Sequence, residues 1–344
     1  MTQLNNNPNT PVPPPIAMLQ MISGFWISKA IYAVAKLGIA DYLIDRPKTA
    51  EELAAITETH PLSLYRLLRA LASVGIFAED ENHKFSLTPL AATLQTDVPG
   101  SLRFFAISEL GTHHSLGWNN LLHSLKTGEI AFDNATGINI WEYYAQHPED
   151  AKRFNQAMTN ITAVEVAAII SSYNFSEFQN IVDIGGGQGS LLTQILKANQ
   201  KLKGFIFDLP QVIEATKLQL QAEDIAHRVT AVAGNFFESV PEGGDAYLLK
   251  HIIHDWDEEK ATTILKNCHQ AMPQHSKLLL FEIVIAPGNE QSFGKLLDLN
   301  MLVMAGGRER TQEEYRALLK SAGFQLTRII PTPSIVSIIE AVKV

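Results

Sequence analysis

The sequence predicts an α/β protein with a doubly wound, mostly parallel sheet in its C-terminal half and a helical domain before it. After residue 180, short β-rich runs alternate with helix-length segments, a pattern typical of parallel sheets covered by helices. The first of these runs leads directly into a glycine-rich loop at residues 185–189. Before residue 100, apolar residues instead recur at spacings of three and four, which indicates amphipathic helices.

The chain has the size and composition of an ordinary globular protein. Its 344 residues are 46% hydrophobic and 18% charged, which is enough for about two domains with substantial cores. A net charge of -9 argues against nucleic acid as a partner, because phosphate backbones bind cationic surfaces. The single cysteine, Cys268, excludes an internal disulfide, and residues 1–15 lack the basic and apolar regions of a signal peptide. We therefore expect a cytoplasmic protein with no membrane span.

The first hundred residues divide into a tail and one small domain. Residues 1–15 contain five prolines and almost no apolar surface, so we expect a disordered tail. Helical periodicity followed by a hairpin pattern predicts a winged helix at residues 16–100, with helices near 25–37, 49–56 and 62–74 and a hairpin turn at 79–83.

The predicted winged helix is better suited to a second subunit than to DNA. Residues 16–100 carry seven cations against nine anions, and the hairpin turn reads Glu79-Asp80-Glu81, which would repel phosphate. The helix near 24–37 offers an apolar surface instead. We therefore expect a homodimer that forms through this domain.

The rest of the chain is predicted to hold a helical linker and the doubly wound domain. Residues 101–170 are expected to be helical and rich in aromatic side chains that suit a substrate pocket. Residues 171–344 contain the strand candidates, at 180–184, 204–207, 228–233, 245–249, 277–283, 324–330 and 334–341. Only residues 331–333 join the last two runs, which is too short for a parallel crossover and predicts an antiparallel hairpin.

A glycine loop and an acid one strand away predict a nucleotide-type site. The loop lies between a strand and a helix, where backbone amides can approach a ligand closely. Asp208 follows the next strand, where a carboxylate can accept hydrogen bonds from both hydroxyls of a ribose; a helix N-cap is the alternative. Ser190 fits poorly as the third small residue of a dinucleotide fingerprint, which disfavours nicotinamide chemistry.

Six ordered motifs extend over most of the chain: VDIGGGQGSLL, FDLPQVI, GNFFESVP, LLKHIIHDWDEEK, LFEIVIAP and GGRERTQEEYRALLKSAGF. The series resembles the S-adenosylmethionine-dependent O-methyltransferases of the caffeate and bacterial hydroxyneurosporene and polyketide type. The resemblance implies a Rossmann-like class I methyltransferase sheet, parallel with one antiparallel strand from a C-terminal hairpin. It also implies an N-terminal winged-helix dimerisation domain and S-adenosyl-L-methionine as the cofactor.

The resemblance further implies which residues bind the cofactor. The glycine loop would hold the methionine moiety, the acid after the next strand the ribose, and a later pair the adenine. The residues concerned are Gly185, Gly187, Asp208, Leu209, Asn235, Phe236 and Lys250. Asn235 departs from the Asp that is usual in the family. Its amide oxygen can accept the same hydrogen bond without charge assistance, so we expect weaker cofactor binding rather than its loss.

Among eleven histidines, His254 has the position expected of a catalytic base. It lies just beyond a predicted strand, at the carboxyl edge of the sheet where doubly wound folds bind ligands. A hydroxyl is a poor nucleophile until its proton is removed, so methyl transfer to oxygen benefits from such a base. In the resembled family, Glu282 and Glu309 match the two carboxylates that flank the base, and Asp255 is expected to position the acceptor.

The acceptor is expected to be a small hydroxylated molecule, aromatic or polyene. Phe154-Asn155-x-x-Met158 resembles the acceptor-contact motif of the family, and methionines adapt to flat ligands. The residues expected to contact the acceptor are Phe105, His114, Trp118, Met158, Asp255, Met301 and Met304.

Three alternatives stay open. His251-x-x-His254-Asp255 also resembles a metal-ligand cluster, although no third-ligand motif accompanies it and we expect no metal. A relative on the same scaffold could use bound S-adenosylmethionine in hydroxylation or decarboxylation without transferring a methyl group. An acidic winged-helix regulator that senses a ligand is the third.

Overall fold

The structure, a computed structural model, describes residues 12–220 and 224–344. The chain divides into two compact units, one ending at Gly111 and one running from Thr112 to Val344. The predicted boundary at residue 100 falls earlier because the segment after it packs with the first unit. The Arg103 side chain donates to the Ala35 carbonyl at 2.9 Å and to the Asp41 carboxylate at 2.7 Å. Residues 112–170 of the predicted linker belong to the second unit.

The first unit is mainly helical and contains a small antiparallel sheet. Its helices are α1 (Pro14–Leu37), α2 (Ile39–Tyr42), α3 (Ala50–Thr57), α4 (Pro61–Ala72), α5 (Pro89–Ala92) and α6 (Arg103–Glu109), and its strands are β1 (Lys48–Thr49), β2 (Phe77–Glu79) and β3 (Lys84–Leu87). The strands are ordered β1-β3-β2, with β2 and β3 paired as a hairpin. Thr49 and Glu52 form a capping box that starts α3.

Helix α1 begins before the predicted end of the tail. Pro14 and Pro15 are its first residues, because proline fits the first turn of a helix, where its missing N–H is not needed. Residues 1–11 of the predicted tail lie outside the described residues. Among those that the structure describes, α1 is the one helix long and apolar enough to cross a membrane by length and composition alone. Helices of protein cores and interfaces can meet the same two criteria.

The second unit begins with a helical layer, a group of helices that precede its sheet in the chain. These helices are α7 (Thr112–Asn119), α8 (Leu121–Thr127), α9 (Ala131–Thr136), α10 (Ile140–Gln146) and the long α11 (Pro148–Ser172). Helix α15 (Phe293–Met304), from much later in the chain, packs against α7, α8 and α9. The remaining helices are α12 (Ser190–Ala198), α13 (Pro210–Leu220), α14 (Glu258–Ala271) and α16 (Gln312–Ser321), with 3-10 turns at Phe175–Glu177, Ala226–Arg228 and Ile253–Asp255.

A seven-stranded sheet forms the centre of the second unit. Its strands are β4 (Asn180–Ile184), β5 (Lys203–Asp208), β6 (Val229–Ala233), β7 (Ala246–Lys250), β8 (Lys277–Glu282), β11 (Phe324–Pro331) and β12 (Ser337–Lys343), and a separate pair joins β9 (Val284–Ile285) to β10 (Arg310–Thr311). The order is β11-β12-β8-β7-β4-β5-β6, and β12 alone runs antiparallel to its neighbours. The predicted class I sheet, with one antiparallel strand from a C-terminal hairpin, is confirmed.

The topology fixes where a ligand can bind. From β4 the chain continues to β5 and β6 on one side of the sheet, and then returns to β7 and β8 on the other. A crevice forms at the carboxyl ends of strands where such an order reverses, here β4 and β7. Buried aliphatic and aromatic side chains cover both faces of the sheet and hold these strand ends in place.

Candidate active site

The glycine loop joins β4 to α12 in left-handed conformations that favour glycine. Gly185, Gly187 and Gly189 have φ angles of 66°, 55° and 78°. A Cβ added to Gly185 would lie 2.4 Å from Cδ1 of Ile252, whereas one on Gly187 would meet nothing within 4 Å. The loop is therefore packed closely on one side and open on the other, as a cradle for a ligand requires.

Asp183 is a site residue that sequence reasoning missed. It lies on β4 just before the loop and is 2% exposed, and its Oδ2 has no hydrogen-bond partner within the described ranges. Burial raises the pKa of this carboxyl to about 7, although the charge of Lys250 opposes the shift. A buried acid with an unsatisfied oxygen beside the loop suits a cationic or hydrogen-bond-donating ligand group. The signal was the Asp within VDIGGG, a motif interpreted only through its glycines.

Asp208 and Leu209 lie at the end of β5, next to the glycine loop. Asp208 accepts hydrogen bonds from the Gly187 amide at 2.9 Å and from the Leu209 amide at 2.7 Å. Burial raises the pKa of Asp208, and these two amides oppose the increase. The carboxylate thus braces the loop, and each oxygen keeps a second lone pair for a ligand hydroxyl.

Asn235 and Phe236 follow β6 at the same edge of the sheet. The Asn235 Oδ1 accepts a hydrogen bond from the Phe237 amide at 3.0 Å, so this oxygen already orders its own turn. The Phe236 ring packs edge-on against Trp256, with ring centroids 6.2 Å apart. Its Cε1 lies 3.8 Å from the position of a Cβ on Gly185, which brings the β6 loop and the glycine loop together.

Lys250 ends β7 and is held by a buried acid. Its Nζ lies 3.2 Å from Oε2 of Glu165, a residue of α11 that is 2% exposed. The predicted cofactor contact is thus part of an ion pair in this structure.

His254 lies in a buried cluster of carboxylates. It belongs to the 3-10 turn after β7, and its Nδ1 donates to Oε1 of Glu309 at 2.7 Å. Glu282 lies at the end of β8, and its Oε1 accepts hydrogen bonds from the backbone amides of Ile252 and Ile253 at 3.1 and 2.8 Å. Its Oε2 lies 3.9 Å from His254 Nδ1. The structure brings together the three residues predicted to be catalytic.

The cluster determines the charge of His254. Burial lowers the pKa of the imidazole, but Glu282, Asp255 and Glu309 outweigh that effect and raise the pKa to about 10. Burial raises the pKa of Glu282 to about 7 and that of Asp255 to about 6, and the imidazolium opposes both increases. Asp255 Oδ1 lies 3.5 Å from His254 Nε2, on the opposite side of the ring from Glu309. Protons within the cluster are therefore shared among several groups.

The turn at Gly306-Gly307 packs directly on the His254 turn. The Arg308 amide donates to the His254 carbonyl at 2.8 Å, and Gly307 lies so close that a Cβ there would be 2.0 Å from the same oxygen. Arg310 is fully buried and donates to the Ile253 carbonyl at 3.1 Å. Sequence reasoning missed Arg310, which lies in the GGRERT motif and supports the His254 turn through this contact.

Three side chains around His254 are close enough together to hold a metal ion. Ligand atoms of His251, His254 and Glu282 lie within 4.8 Å of one another. The imidazole hydrogen bonds are nevertheless directed to carboxylates outside that trio, from His251 to Glu165 and from His254 to Glu309.

Most residues predicted to contact the acceptor lie on two adjoining helices. His114 and Trp118 are on α7, and Met301 and Met304 are on α15. A Cβ on Gly117 would lie 2.7 Å from Sδ of Met304, so the helices are in close contact. Met158 lies on α11, and Phe105 lies on α6 in the first unit. A cavity of about 520 Å³ between α10, α11 and the glycine loop is lined by Tyr144, Asn155, Thr159 and Gln188 but not by His254.

Two family models match the chain in order. A model described as an O-methyltransferase dimerisation domain matches residues 19–97, and one described as an O-methyltransferase domain matches residues 118–325. The chain is 43% identical to phenazine O-methyltransferase PhzM of Lysobacter antibioticus over 336 residues, which cover 98% of each protein.

Solved structures agree in fold. The crystal structure of LaPhzM covers 97% of this chain and 100% of its own, with 43% identity and a TM-score of 0.90. NcsB1, an O-methyltransferase from neocarzinostatin biosynthesis, was solved with S-adenosylmethionine and 2-hydroxy-5-methyl naphthoic acid. It is 31% identical, covers 92% of this chain and 96% of its own, and has a TM-score of 0.79. The chain belongs to the S-adenosylmethionine-dependent O-methyltransferases, with an N-terminal dimerisation domain and a class I methyltransferase fold.

Proposed function

We propose that this enzyme methylates a hydroxyl of a small aromatic compound and that His254 is the general base. One observation carries the proposal, the buried hydrogen bond from His254 Nδ1 to Glu309. It fixes the ring orientation and leaves Nε2 as the nitrogen that can accept a proton from the acceptor. S-adenosylmethionine, when bound, supplies the electrophilic methyl group.

The flanking carboxylates have two roles in this mechanism. Glu309 fixes the tautomer of His254, and Glu282 adds negative charge that stabilises the imidazolium formed when the acceptor loses its proton. General-base assistance contributes about 10²- to 10⁴-fold to the rate. The remaining acceleration comes from holding the acceptor oxygen in line with the methyl group, a task we assign to Asp255 and the helical layer.

An aromatic hydroxyl fits His254 better than an aliphatic one. Phenols have a pKa of about 10 and release their proton far more readily than aliphatic alcohols do. The carboxylates favour protonated His254, and the positive charge of S-adenosylmethionine, when bound, would lower this pKa and favour the neutral imidazole that acts as the base. We assign Trp118, Met301 and Met304, on α7 and α15, to the apolar surface for a flat ring, together with His114 on α7 and Met158 on α11. The phenazine and naphthoic acid named for the two relatives are aromatic as well.

The cofactor site is proposed at the crevice between β4 and β7. We assign the methionine moiety to Gly185 and Gly187, with Asp183 as an added partner because its buried oxygen is unsatisfied. Asp208 and Leu209 are assigned to the ribose, and Asn235 and Phe236 to the adenine. Lys250 completes the set through its position at the end of β7.

The first unit is proposed to form a homodimer. Met21, Ile22, Phe25 and Trp26 of α1 are each more than 60% exposed, which is unusual for large apolar side chains of a monomer. Covering them in a subunit interface explains the apolar helix without a membrane and agrees with a cytoplasmic enzyme. Size-exclusion chromatography with light scattering should give twice the 38.0 kDa chain mass.

A labelled-methyl screen tests the proposed function. Purified enzyme is incubated with methyl-labelled S-adenosylmethionine and matched panels of phenols, aliphatic alcohols and aryl amines. We expect label on the phenols, with turnover unaffected by a chelator. Oxygen insertion or loss of CO₂ from the acceptor, detected by mass spectrometry, would support the non-methylating alternative. Loss of turnover with the chelator would restore the metal interpretation.

A further inference from the structure

A second histidine, His251, lies immediately before the catalytic turn and is held by a residue from a distant part of the chain. Its Nε2 donates to both carboxylate oxygens of Glu165 on α11, at 2.9 and 3.0 Å. Glu165 is 2% exposed and also pairs with Lys250. A carboxylate buried to this extent is costly unless it is paired, so Glu165 needs its contacts at the end of β7, and these contacts connect α11 to that strand end.

The backbone of His251 is strained. Its φ angle is 52°, in the left-handed region that is unfavourable for a non-glycine residue. The residue stands between β7 and the 3-10 turn of His254, so this conformation sets the direction in which the chain enters the turn. It also directs the amides of Ile252 and Ile253 at Glu282. Strain persists only where the surroundings enforce it, and here Glu165 holds the side chain while the His251 amide donates to the Phe281 carbonyl at 3.1 Å.

The His251 ring adjoins the catalytic cluster. Its centroid is 5.1 Å from that of His254, and its Nδ1 lies 3.9 Å from Oε2 of Glu282, the same distance that separates this oxygen from His254 Nδ1. Burial and Lys250 lower the pKa of His251, and Glu165 opposes them without prevailing. Burial and Lys250 therefore favour the neutral form of His251, which would place its N–H on Glu165 and its Nδ1 lone pair on the side of Glu282.

We propose that His251, clamped by Glu165, is a positioning residue that holds the 251–255 turn and thereby places His254 for methyl transfer. The inference rests on the proposed function. His251 does not touch the reacting atoms; it acts through the turn and through Glu282.

The test compares kcat, the KM for S-adenosylmethionine and the pH profile of kcat in variants of His251 and Glu165. His251→Gly relieves the backbone strain and removes the ring, whereas His251→Asn keeps a side chain that tolerates the left-handed region. We expect both to remain folded and to lower kcat by about 10- to 100-fold, with little change in KM. Glu165→Gln keeps the shape of the Glu165 side chain but removes its charge, and it should also lower kcat. Combined with His251→Asn, it should add little further loss, because the two residues act as a unit.

The pH profile separates positioning from a purely structural role. Water that replaces the His251 ring would solvate Glu282, favour its anion and so raise the pKa of His254. The acid limb of kcat should then move to higher pH in His251→Asn. The titratable groups that face His254 and set the acid limb are Glu282, Asp255 and Glu309. The buried Tyr315 interacts with Glu282 and Glu309.

The chain offers matched controls. His83 in the first unit also has a left-handed backbone, with φ of 56°, and its Nδ1 lies 2.8 Å from a carboxylate, that of Glu79. Glu149 lies on α11 like Glu165, but its side chain is 79% exposed. His83→Gly and Glu149→Gln should leave kcat and the acid limb unchanged. If the wild-type enzyme transfers methyl groups, and folded His251 variants have the same kcat and the same acid limb as the wild type, this inference is wrong and the proposed function still stands. Absence of methyl transfer by the wild type would overturn the proposed function and the inference with it.

Discussion

The Gly307→Ala variant tests how closely the His254 turn, proposed to be catalytic, is fixed. A Cβ at this position would lie 2.0 Å from the His254 carbonyl oxygen, 2.6 Å from the Asp255 carbonyl carbon and 2.8 Å from its Cα. All three are backbone atoms, which cannot rotate away as the end of a flexible side chain can. Ordinary contact begins at 3.4 Å, so the two turns must separate by more than about 1 Å.

The displacement acts directly on His254. A misplacement of about 1 Å costs about 10²-fold in rate, so kcat should fall by about that factor in a methyl-transfer assay at saturating substrates. Overpacking should also lower the free energy of unfolding by about 1–3 kcal/mol. Affinity for S-adenosylhomocysteine, measured by calorimetry, should change little because the glycine loop and Asp208 lie on other strands.

Gly128→Ala is the matched control for this variant. Gly128 also lies in the second unit and has a φ of 76°, but a Cβ there would meet nothing within 4 Å. It should lose about 1–2 kcal/mol of stability to backbone strain and keep its kcat. A folded Gly307→Ala enzyme with wild-type kcat would refute the view that this glycine packing positions His254.

Three further predictions concern the cofactor and the response to pH. Asp208→Ala should weaken S-adenosylmethionine binding by about 1–3 kcal/mol through lost ribose hydrogen bonds; unchanged affinity in calorimetry would reject the ribose assignment. Burial opposes ionisation of Glu340, but hydrogen bonds from Arg328 and Tyr173 outweigh it and lower its pKa from 4.5 to about 2. The contribution of Glu340 to stability is therefore present above pH 4.5 and lost as the pH falls towards 2. Glu340→Gln should flatten the plot of Tm against pH in this range, and an equally steep plot would contradict the lowered pKa of Glu340. Binding of S-adenosylmethionine at neutral pH should release more protons than binding of S-adenosylhomocysteine, because the sulfonium charge disfavours protonated His254. Calorimetry in buffers of different ionisation enthalpy measures this difference, and equal proton release would argue against a charged donor beside the cluster.

The sequence was sufficient to predict the sheet because its strands carry local signals. The alternation of strand-like and helix-like runs predicted parallel strands, and the short connection at 331–333 required the antiparallel hairpin that the structure contains. Element boundaries were less certain. Helix α1 starts at Pro14 because the first turn of a helix tolerates proline. Helix α6 belongs to the first unit because of the Arg103 contacts, which a one-dimensional pattern does not specify.

The proposed catalytic cluster could be predicted from the sequence only where its residues lie at strand ends. His254 and Glu282 follow adjacent parallel strands, so the topology alone brings them to one edge of the sheet. Glu165 could not be found in this way. It interrupts an apolar run on α11, and its partners lie 85 and 86 residues later, a pairing that emerges only when the helix packs on the sheet. Asp183 and Arg310 lie inside recognised motifs, but their burial, which makes them informative, is a tertiary property.

Turnover by His254→Ala tests the central claim most directly, once an acceptor is identified. The account predicts that the variant binds S-adenosylmethionine with nearly wild-type affinity, since His254 is assigned to the acceptor side, and that kcat falls by at least about 10²-fold. If the variant binds the methyl donor normally and turns over at the wild-type rate, no general base is needed, and the cluster around His254 has a different purpose.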